Sequence, residues 1–482
     1  MTDQSSSDPA TRDPATCDPA SRRGFLGAVT ALTAASYNRV LGANDRVGIG
    51  FVGYGLIGKQ HIANFKKSFP EVDRVALCDV YKPRLDEGMA YMENPNAKGY
   101  SDFRKMYENK DIDGVVVATP DHWHALLTIM ACAAGKDVYV EKPLTVFIDE
   151  GKWMIQAMNK YRRVVVVGTQ RNHNPAHQAA KKIVESGALG KIQMVKLGAG
   201  GRNIYPGFGK TPVADPPAGF DYDMWLGPAP RKPYQAHRGL YHFRWFWDYS
   251  GGQLTNLGAH SVAAFLLVTG AKGPTKVVSF GGRSTLEDDG ETPDLQECLY
   301  EFPGFLLTMG VREANGYRDS AGSVIMGSKG NLVLGSNQVI PEMHGDPANQ
   351  IPRFQGHPAG GPVSSDTKAA PWIEAQPGAQ SVSGGRGGAA GGESLEDQMF
   401  NANKRDWIDC IKSRNRPFCD LEMGHRTAIV CNLGNMSLRL GGRAIRWDPA
   451  QEVVIGDKEA AAMCTQQYRA PWDAVLRSLI QV

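Results

Sequence analysis

Short apolar runs alternate with amphipathic stretches over residues 46–168. The runs have the length and β-branched composition of buried strands, and the stretches between them have helical periodicity. The predicted strands lie at 47–52, 74–78, 114–118, 137–140 and 164–168. Strands that alternate with helices at roughly 25 to 40 residues per unit are typical of βαβ crossovers. We therefore predict an α/β domain at 46–168 with a doubly wound parallel sheet, the Rossmann arrangement.

After residue 168 the pattern changes to consecutive strands. One helix is predicted at 176–186, where Gly187 ends it. The strands predicted after it lie at 193–197, 276–281, 295–302, 305–311, 323–327 and 330–334, and two more helices at 395–413 and 422–440. Strands without helices between them indicate an open, mostly antiparallel sheet. We predict an α+β C-terminal domain at 169–455.

Two segments do not fit this pattern. Residues 341–396 are rich in Gly and Pro and include a run of small residues at 384–392. This composition is too poor in large apolar side chains to bury a core, so we predict a long loop or disordered insertion. Residues 456–482 are predicted to form a C-terminal tail.

The composition is that of a globular protein, and a small molecule is the default partner. The 482 residues are 42% hydrophobic and 21% charged, and this length and hydrophobic fraction suffice for two domain cores. The net charge is +3. Without a long basic run, nothing in the charge favours a nucleic acid partner. The 8 cysteines include no C-x-x-C pair, so we expect free thiols and no metal site.

The first 45 residues resemble a targeting leader. A polar segment precedes Arg22 and Arg23, and Phe25-Leu26 begins a weakly apolar run that is too short to span a bilayer. Paired arginines before such a run are typical of a twin-arginine signal. The alternative is a chance arginine pair in a disordered tail. We expect export of the folded protein to the periplasm and no membrane attachment afterwards.

The first predicted strand leads directly into a glycine motif and a helix. Its members are Gly53, Tyr54, Gly55, Leu56, Ile57 and Gly58. Glycines at this spacing allow a tight turn and close approach of the backbone, and the helix amides then face a pyrophosphate. The sequence therefore predicts a dinucleotide site, with a purely structural glycine turn as the alternative.

An acid at the end of the second strand refines the cofactor. Asp79 lies 26 positions beyond Gly53, where a carboxylate accepts hydrogen bonds from the adenosine ribose. A carboxylate there repels the 2′-phosphate of NADP, so we predict NAD. Lys82 and Arg84 lie close by and keep NADP possible.

The ends of the third, fourth and fifth strands carry further candidates. The segment after the third strand includes Thr119, Pro120, Asp121 and His124, which we expect to contact the cofactor; the alternative is a capped helix start. A metal site at His122 and His124 is not expected, because no acidic or thiol partner is evident. The residues after the fourth strand are Glu141, Lys142 and Pro143. Those after the fifth include Gln170, Arg171 and His173, which we expect to line the cleft, with Gln170 and Arg171 at the cofactor.

Lys142 is the candidate for proton transfer. An ammonium at the carboxyl edge of a parallel sheet is well placed to bind a substrate hydroxyl and to help move its proton. The alternative is a solvated surface lysine.

The glycine loop, Thr119-Pro120, residues 135–138 and Glu141-Lys142-Pro143 together resemble the Gfo/Idh/MocA family, which includes glucose-fructose oxidoreductase and inositol dehydrogenase. The resemblance covers about residues 46–450, and the Glu-Lys-Pro element is its most specific piece. It implies NAD or NADP in the first domain and a sugar or polyol against the sheet of the second. It also implies a homodimer or homotetramer, joined through the far face of that sheet. With the leader, the chain is similar to an exported twin-arginine subgroup.

Members of this family carry a second-domain motif Asp-x-x-x-His near the substrate carbon. Here His260 matches, and Asn256 replaces the acid. An imidazole suits proton transfer near neutral pH, whereas an amide orients a partner but exchanges no proton. We expect Glu141 and Lys142 at the cofactor, and Lys142, His260 and Asn256 as the catalytic group; the alternative for His260 is a buried helix residue.

An aromatic stretch at 241–249 precedes this motif. Flat rings with polar neighbours bind the apolar face of a pyranose. We predict that Arg244, Trp245 and Trp247 line the substrate site with Arg171 and His173, the alternative being core aromatics.

These observations predict an oxidoreductase that transfers hydride between a secondary alcohol of a sugar, polyol or glycoside and a retained nicotinamide cofactor. Two alternatives stay open. One is a glycosidase that acts by transient oxidation. The other, prompted by Asn256, is a non-catalytic sugar-binding protein.

Overall fold

A computed structural model describes residues 46–201, 205–314, 322–335, 338–341 and 393–481. The predicted leader at 1–45 and nearly all of the predicted insertion lie outside the described residues. The first domain contains a six-stranded parallel sheet in the order β3-β2-β1-β4-β5-β6. Its strands β1 to β6 are Val47–Val52, Val72–Cys78, Lys98–Tyr100, Gly114–Val117, Asp137–Val140 and Val165–Val167.

This sheet is covered on both faces, which explains its continuous apolar strands. Every residue of β1, β4, β5 and β6 is buried. Helices α1 to α5 pack around it and are Leu56–Ser68, Lys82–Met92, Phe103–Tyr107, His124–Ala133 and Ile148–Tyr161. Burial on both faces is the rule for parallel sheets built from βαβ units. The predicted doubly wound fold is confirmed.

Strand order creates a crevice beside β1. The chain runs outward from β1 to β2 and β3 on one side and to β4, β5 and β6 on the other. The loops that leave β1 and β4 therefore diverge at the carboxyl edge of the sheet, where doubly wound folds bind ligands. Edge strand β3 was not predicted, because its three residues are mostly exposed and lack an apolar run.

The second domain contains a nine-stranded open sheet in the order β13-β12-β11-β7-β10-β9-β8-β14-β15. Strands β7 to β15 are Ile192–Gly200, Lys276–Gly282, Leu295–Phe302, Phe305–Arg312, Val324–Gly327, Gly330–Val333, Gln338–Pro341, Ile445–Asp448 and Val453–Val454. Pairing is antiparallel except between β7 and β10. The prediction of a mostly antiparallel sheet is confirmed.

Helices cover one face of this sheet. Helices α6 to α13 are Pro175–Glu185, Tyr222–Leu226, Gly252–Asn256, Gly258–Thr269, Leu395–Ser413, Leu421–Arg439, Lys458–Ala462 and Trp472–Leu479. Phe265 of α9 and Leu433 of α11 share one core with Tyr300 of β9. Residues of β9 alternate strictly between exposed and buried, so the opposite face of the sheet is open to solvent.

The chain returns to the first domain twice after leaving it. Trp407 of α10 is fully buried, with its ring centroid 5.7 Å from that of Tyr139 on β5. In the segment predicted as a tail, Trp472 of α13 packs 5.0 Å from the ring of Trp123. Within the predicted tail, residues 468–480 therefore pack with the first domain, whereas Ala460 and Cys464 belong to the core of the second. Within the described ranges, every helix is too short or too polar to cross a bilayer.

Candidate active site

Each of the three glycines in the loop after β1 meets a different steric requirement. Gly53 has a φ of +94°, and a Cβ there would lie 2.7 Å from the Ala118 carbonyl oxygen. A Cβ on Gly58 would lie 2.1 Å from the Gly53 oxygen, so this position lets α1 pack tightly on the loop. A Cβ on Gly55 would instead meet only Arg84, at 3.8 Å. Gly55 thus faces open space, as a loop that receives a phosphate requires.

A cleft of about 830 Å³ opens above this loop. The predicted residues that line it are Gly53, Gly55, Leu56, Ile57, Asp79, Thr119, Pro120 and Arg244. Its walls also include Arg84, Trp123, Trp225, Tyr241 and Phe243. Helix α1 begins here without a side-chain cap, so the amides of its first turn face the cleft. The positive end of helix α1 and the open space at Gly55 both suit the pyrophosphate of a dinucleotide.

Asp79 ties the loop to the end of β2. Its carboxylate accepts hydrogen bonds from the backbone amides of Tyr54 at 2.7 Å and Tyr81 at 2.8 Å. Burial raises the pKa of Asp79, and these two amide bonds oppose the rise. Each oxygen retains a second lone pair, so the carboxylate is able to accept a ribose hydroxyl as well.

Lys142 reaches across from the first domain to the second. Its Nζ donates to the Asn256 carbonyl oxygen at 2.9 Å and to Asn256 Oδ1 at 3.2 Å. Gln253 Oε1 accepts from the amide of Asn256 at 2.9 Å, and Glu313 accepts from Gln253 at 2.8 Å. This chain of bonds fixes the oxygen of Asn256 toward the lysine. His260 lies one turn further along, buried on α9.

Sequence profiles identify the family to which this arrangement belongs. The profile "Oxidoreductase family, NAD-binding Rossmann fold" matches residues 47–169, and "Oxidoreductase family, C-terminal alpha/beta domain" matches 173–355 and 394–474. The chain belongs to the Gfo/Idh/MocA family. Its first domain is an NAD-binding Rossmann domain, as predicted.

Individual relatives of the family match more weakly. An inositol 2-dehydrogenase from Salmonella paratyphi B is 31% identical over 147 residues, which are 30% of this chain and 44% of that protein. The chain thus aligns with less than half of this relative. WlbA dehydrogenase from Bordetella pertussis, solved with NADH and UDP-GlcNAcA, is 20% identical with a TM-score of 0.56 over 84% of this chain and 99% of that one. Myo-inositol dehydrogenase from Lactobacillus casei, solved with NAD(H) and myo-inositol, is 17% identical with a TM-score of 0.56, over 84% and 97%. These likenesses establish the shared fold.

Glu141, the first residue of the family's Glu-Lys-Pro element, does not line the cleft. Its carboxylate is buried and lies 2.8 Å from Nε2 of His61 on α1. Its other oxygen accepts from the backbone amide of Lys142 at 3.2 Å. We expected Glu141 at the cofactor; the structure instead directs it into the domain, where it holds the backbone of the lysine. The peptide between Lys142 and Pro143 is cis.

Asp121 and His124 also hold loops near the cleft without lining it. The two ring nitrogens of His124 lie 2.7 Å from the Pro143 carbonyl oxygen and 3.0 Å from that of Thr119. Asp121 is buried and accepts from the hydroxyl of Ser250, and burial raises its pKa. His124 therefore connects the loops after β4 and β5, and Asp121 connects the loop after β4 with Ser250 of the second domain. We expect both at the cofactor from the sequence, but neither lines the cleft.

Several other predicted residues are placed away from the cleft. Ring nitrogen Nε2 of His173 lies 3.2 Å from the Asn403 side-chain oxygen on α10. Trp247 lines a separate cavity of about 330 Å³ and stacks with Arg439. Gln170 and Trp245 are buried, whereas Arg171 is exposed. Among the residues that the structure describes, no group of three His, Cys, Asp or Glu side chains is arranged to hold a metal ion.

Lys404 predicts an unusual pH dependence of stability. Burial lowers its pKa from 10.5 to about 7, against the opposing charges of Glu141 and Asp397. Between pH 7 and the ordinary lysine range, the unfolded chain therefore binds more protons than the folded one, and stability rises with pH. We expect the melting temperature of the wild type to rise relative to Lys404→Met between pH 7 and pH 9.5. A constant difference across this range would contradict the prediction.

Proposed function

We propose that the protein is an NAD-dependent oxidoreductase that acts on a secondary alcohol of a sugar, polyol or glycoside. The observation that carries the proposal is the junction of two elements: the cleft at the glycine loop and the Lys142 ammonium held by Asn256 across the domain boundary. The curated relatives named inositol 2-dehydrogenase and the structures solved with NADH and sugar or polyol ligands support the substrate class.

Different residues of the chain would bind the cofactor and handle the proton. The amides at the start of α1 and the backbone of Gly55 would hold the pyrophosphate, and Asp79 the adenosine ribose. A bound nicotinamide supplies the carbon that accepts or returns hydride. Lys142 binds the reacting hydroxyl. As the carbonyl forms, the hydroxyl proton passes to a nitrogen lone pair of this pair of residues, either the unprotonated amine of Lys142 or the neutral imidazole of His260. Asn256 orients Lys142 and exchanges no proton.

Cofactor retention, export and assembly belong to the same proposal. The leader with Arg22 and Arg23 supports export of the folded enzyme to the periplasm with its nucleotide bound. Arg84 in the cleft wall keeps NADP as a second possible cofactor.

The open face of the second domain's sheet supports assembly into a homodimer or homotetramer. Four large apolar side chains are exposed on this face of the adjacent strands β8, β9 and β10, namely Phe280, Leu295, Leu299 and Leu306. Light scattering of the purified protein measures the assembly.

The decisive experiment is mass spectrometry of the nucleotide that co-purifies, followed by a screen of sugars and polyols at 340 nm for its reduction. We expect NAD as the main species and at least one substrate that reduces it. A nitrophenyl glycoside that releases its phenol without net NADH would favour the glycosidase. Protein without nucleotide and without affinity for added NAD would refute the proposal.

A further inference from the structure

A buried cluster of ionisable side chains lies directly behind Lys142. His61, Glu141 and Lys404 are each almost completely inaccessible to solvent, with Glu141 at 3% exposure. His61 Nε2 and Glu141 Oε1 are 2.8 Å apart. Gly168 makes room for this carboxylate, because a Cβ there would lie 2.7 Å from Glu141 Oε2. Helix α1 and the end of β6 therefore both meet this carboxylate.

The cluster needs a positive charge from outside the His61–Glu141 pair. Burial lowers the pKa of His61, so its imidazole is neutral and donates from Nε2. An ionised carboxylate away from water is costly unless a cation compensates it. At and below about pH 7, Lys404 supplies that cation, since burial lowers its pKa to about 7. Its Nζ lies 4.7 Å from the Phe400 ring centroid and 5.7 Å from that of Phe65, with no hydrogen-bond partner among the described residues. The Phe400 ring in turn lies 6.0 Å from the ring of His61.

The position of the cluster connects the cofactor site with the lysine. His61 belongs to α1, whose first turn lines the cleft, and Glu141 accepts from the backbone amide of Lys142. We propose that His61, Glu141 and Lys404 form a positioning unit that fixes the Lys142 ammonium relative to the cofactor cleft. Glu141 and Lys404 touch neither cleft nor substrate, so they act through Lys142. The inference rests on the proposed role of Lys142 as the proton-handling residue.

Two variants and one control test this unit. Glu141→Gln keeps the shape and hydrogen-bonding capacity of the side chain but removes its charge. Lys404→Met removes the buried ammonium. Lys136→Met is the matched control, since Lys136 is also buried and its Nζ donates to the carbonyl oxygens of Asn109 and Ile112 at the opposite end of β5. All three variants are compared at equal folded fraction.

The first measurement does not need the enzyme's substrate. Limited acetylation with acetic anhydride at about pH 6, where Lys404 carries its proton, is read by mass spectrometry of the peptide that contains Lys142. The rate reports how readily the Lys142 amine loses its proton. We expect faster labelling of Lys142 in Glu141→Gln, because a neighbouring carboxylate is lost. In Lys404→Met we expect slower labelling, because the carboxylate is then less compensated. The control should leave the rate unchanged, and equal rates in all proteins would overturn the proposal.

The second measurement is steady-state kinetics at the same pH, where Lys404 is protonated. We expect kcat to fall at least about tenfold in both variants while the affinity for NAD and the KM for the sugar stay within about twofold, because displacement of a catalytic group affects the reaction more than binding. A normal kcat in folded Glu141→Gln would overturn the positioning role. If the protein lacks dehydrogenase activity altogether, the proposed function fails, whereas the labelling still decides whether the cluster controls Lys142.

Discussion

Replacing Lys142 with methionine should lower kcat by about a thousandfold or more while NAD still binds. General acid–base catalysis contributes factors of about 10² to 10⁴, and the ammonium also orients the reacting hydroxyl. Because Lys142 is absent from the walls of the nucleotide cleft, the affinity for NAD should change by less than about threefold. Stopped-flow measurement of NADH formation and fluorescence titration of NAD test the two parts separately.

Lys152→Met is the control for this variant. The ammonium of Lys152 also donates to a backbone carbonyl, that of Glu452 at 2.7 Å, but it lies on α5 away from the cleft. We expect wild-type kinetics from it. If Lys142→Met retains more than about a tenth of the wild-type kcat, the proton passes through other groups, and the assignment of Lys142 is wrong.

The fold was largely predictable from the sequence because each domain has a strong local pattern. Strands β1 and β5 were predicted with the bounds that the structure shows, since runs such as 47–52 are apolar throughout and end at glycine or charged residues. Edge strand β3 was missed, because pairing with β2 depends on tertiary contacts and not on its own composition. The packing of α13 against α4 was missed for the same reason, since no local pattern specifies the partner of an amphipathic helix.

The part of the candidate site that comes directly after predicted strands was predictable from the sequence. Spacing placed the glycine loop, Asp79 and Thr119 at one edge of the sheet, and the structure assembles them around one cleft. Spacing could not show which way each side chain faces at that edge. Glu141 was therefore predicted beside the cofactor although it turns to His61, and Lys404 was overlooked because it comes from a helix far along the chain.

The contrast between Glu141 and Lys142 explains how one short element serves two purposes. Successive side chains of an extended segment point in opposite directions. Glu141 therefore enters the first domain, while Lys142 reaches the second domain at Asn256. Because the same segment contacts both domains, a shift of either domain moves the ammonium. The loop that binds the nucleotide and the helix that carries Asn256 are thus mechanically linked through two adjacent residues.

The glycine loop gives the second large effect, and two single-methyl variants separate binding from folding. Gly55→Ala should fold normally, because its φ of −78° suits alanine and its Cβ would meet only Arg84. The added methyl points into the space where the pyrophosphate approaches, so we expect the Kd for NAD to rise about tenfold to a hundredfold. Calorimetric titration with NAD measures this, and the melting temperature should stay that of the wild type.

Gly58→Ala, in contrast, should lower the stability of the protein as well as its affinity for NAD. Its methyl would lie 2.1 Å from the Gly53 carbonyl oxygen, which is backbone and cannot rotate away, so α1 must shift from the loop. Forcing a methyl into such a contact costs about 1 to 3 kcal/mol, and the melting temperature should fall accordingly. Affinity for NAD falls too, because the displaced helix amides no longer face the cleft. If Gly55→Ala binds NAD like the wild type at an unchanged melting temperature, the pyrophosphate does not lie over this loop, and the cleft binds a different ligand.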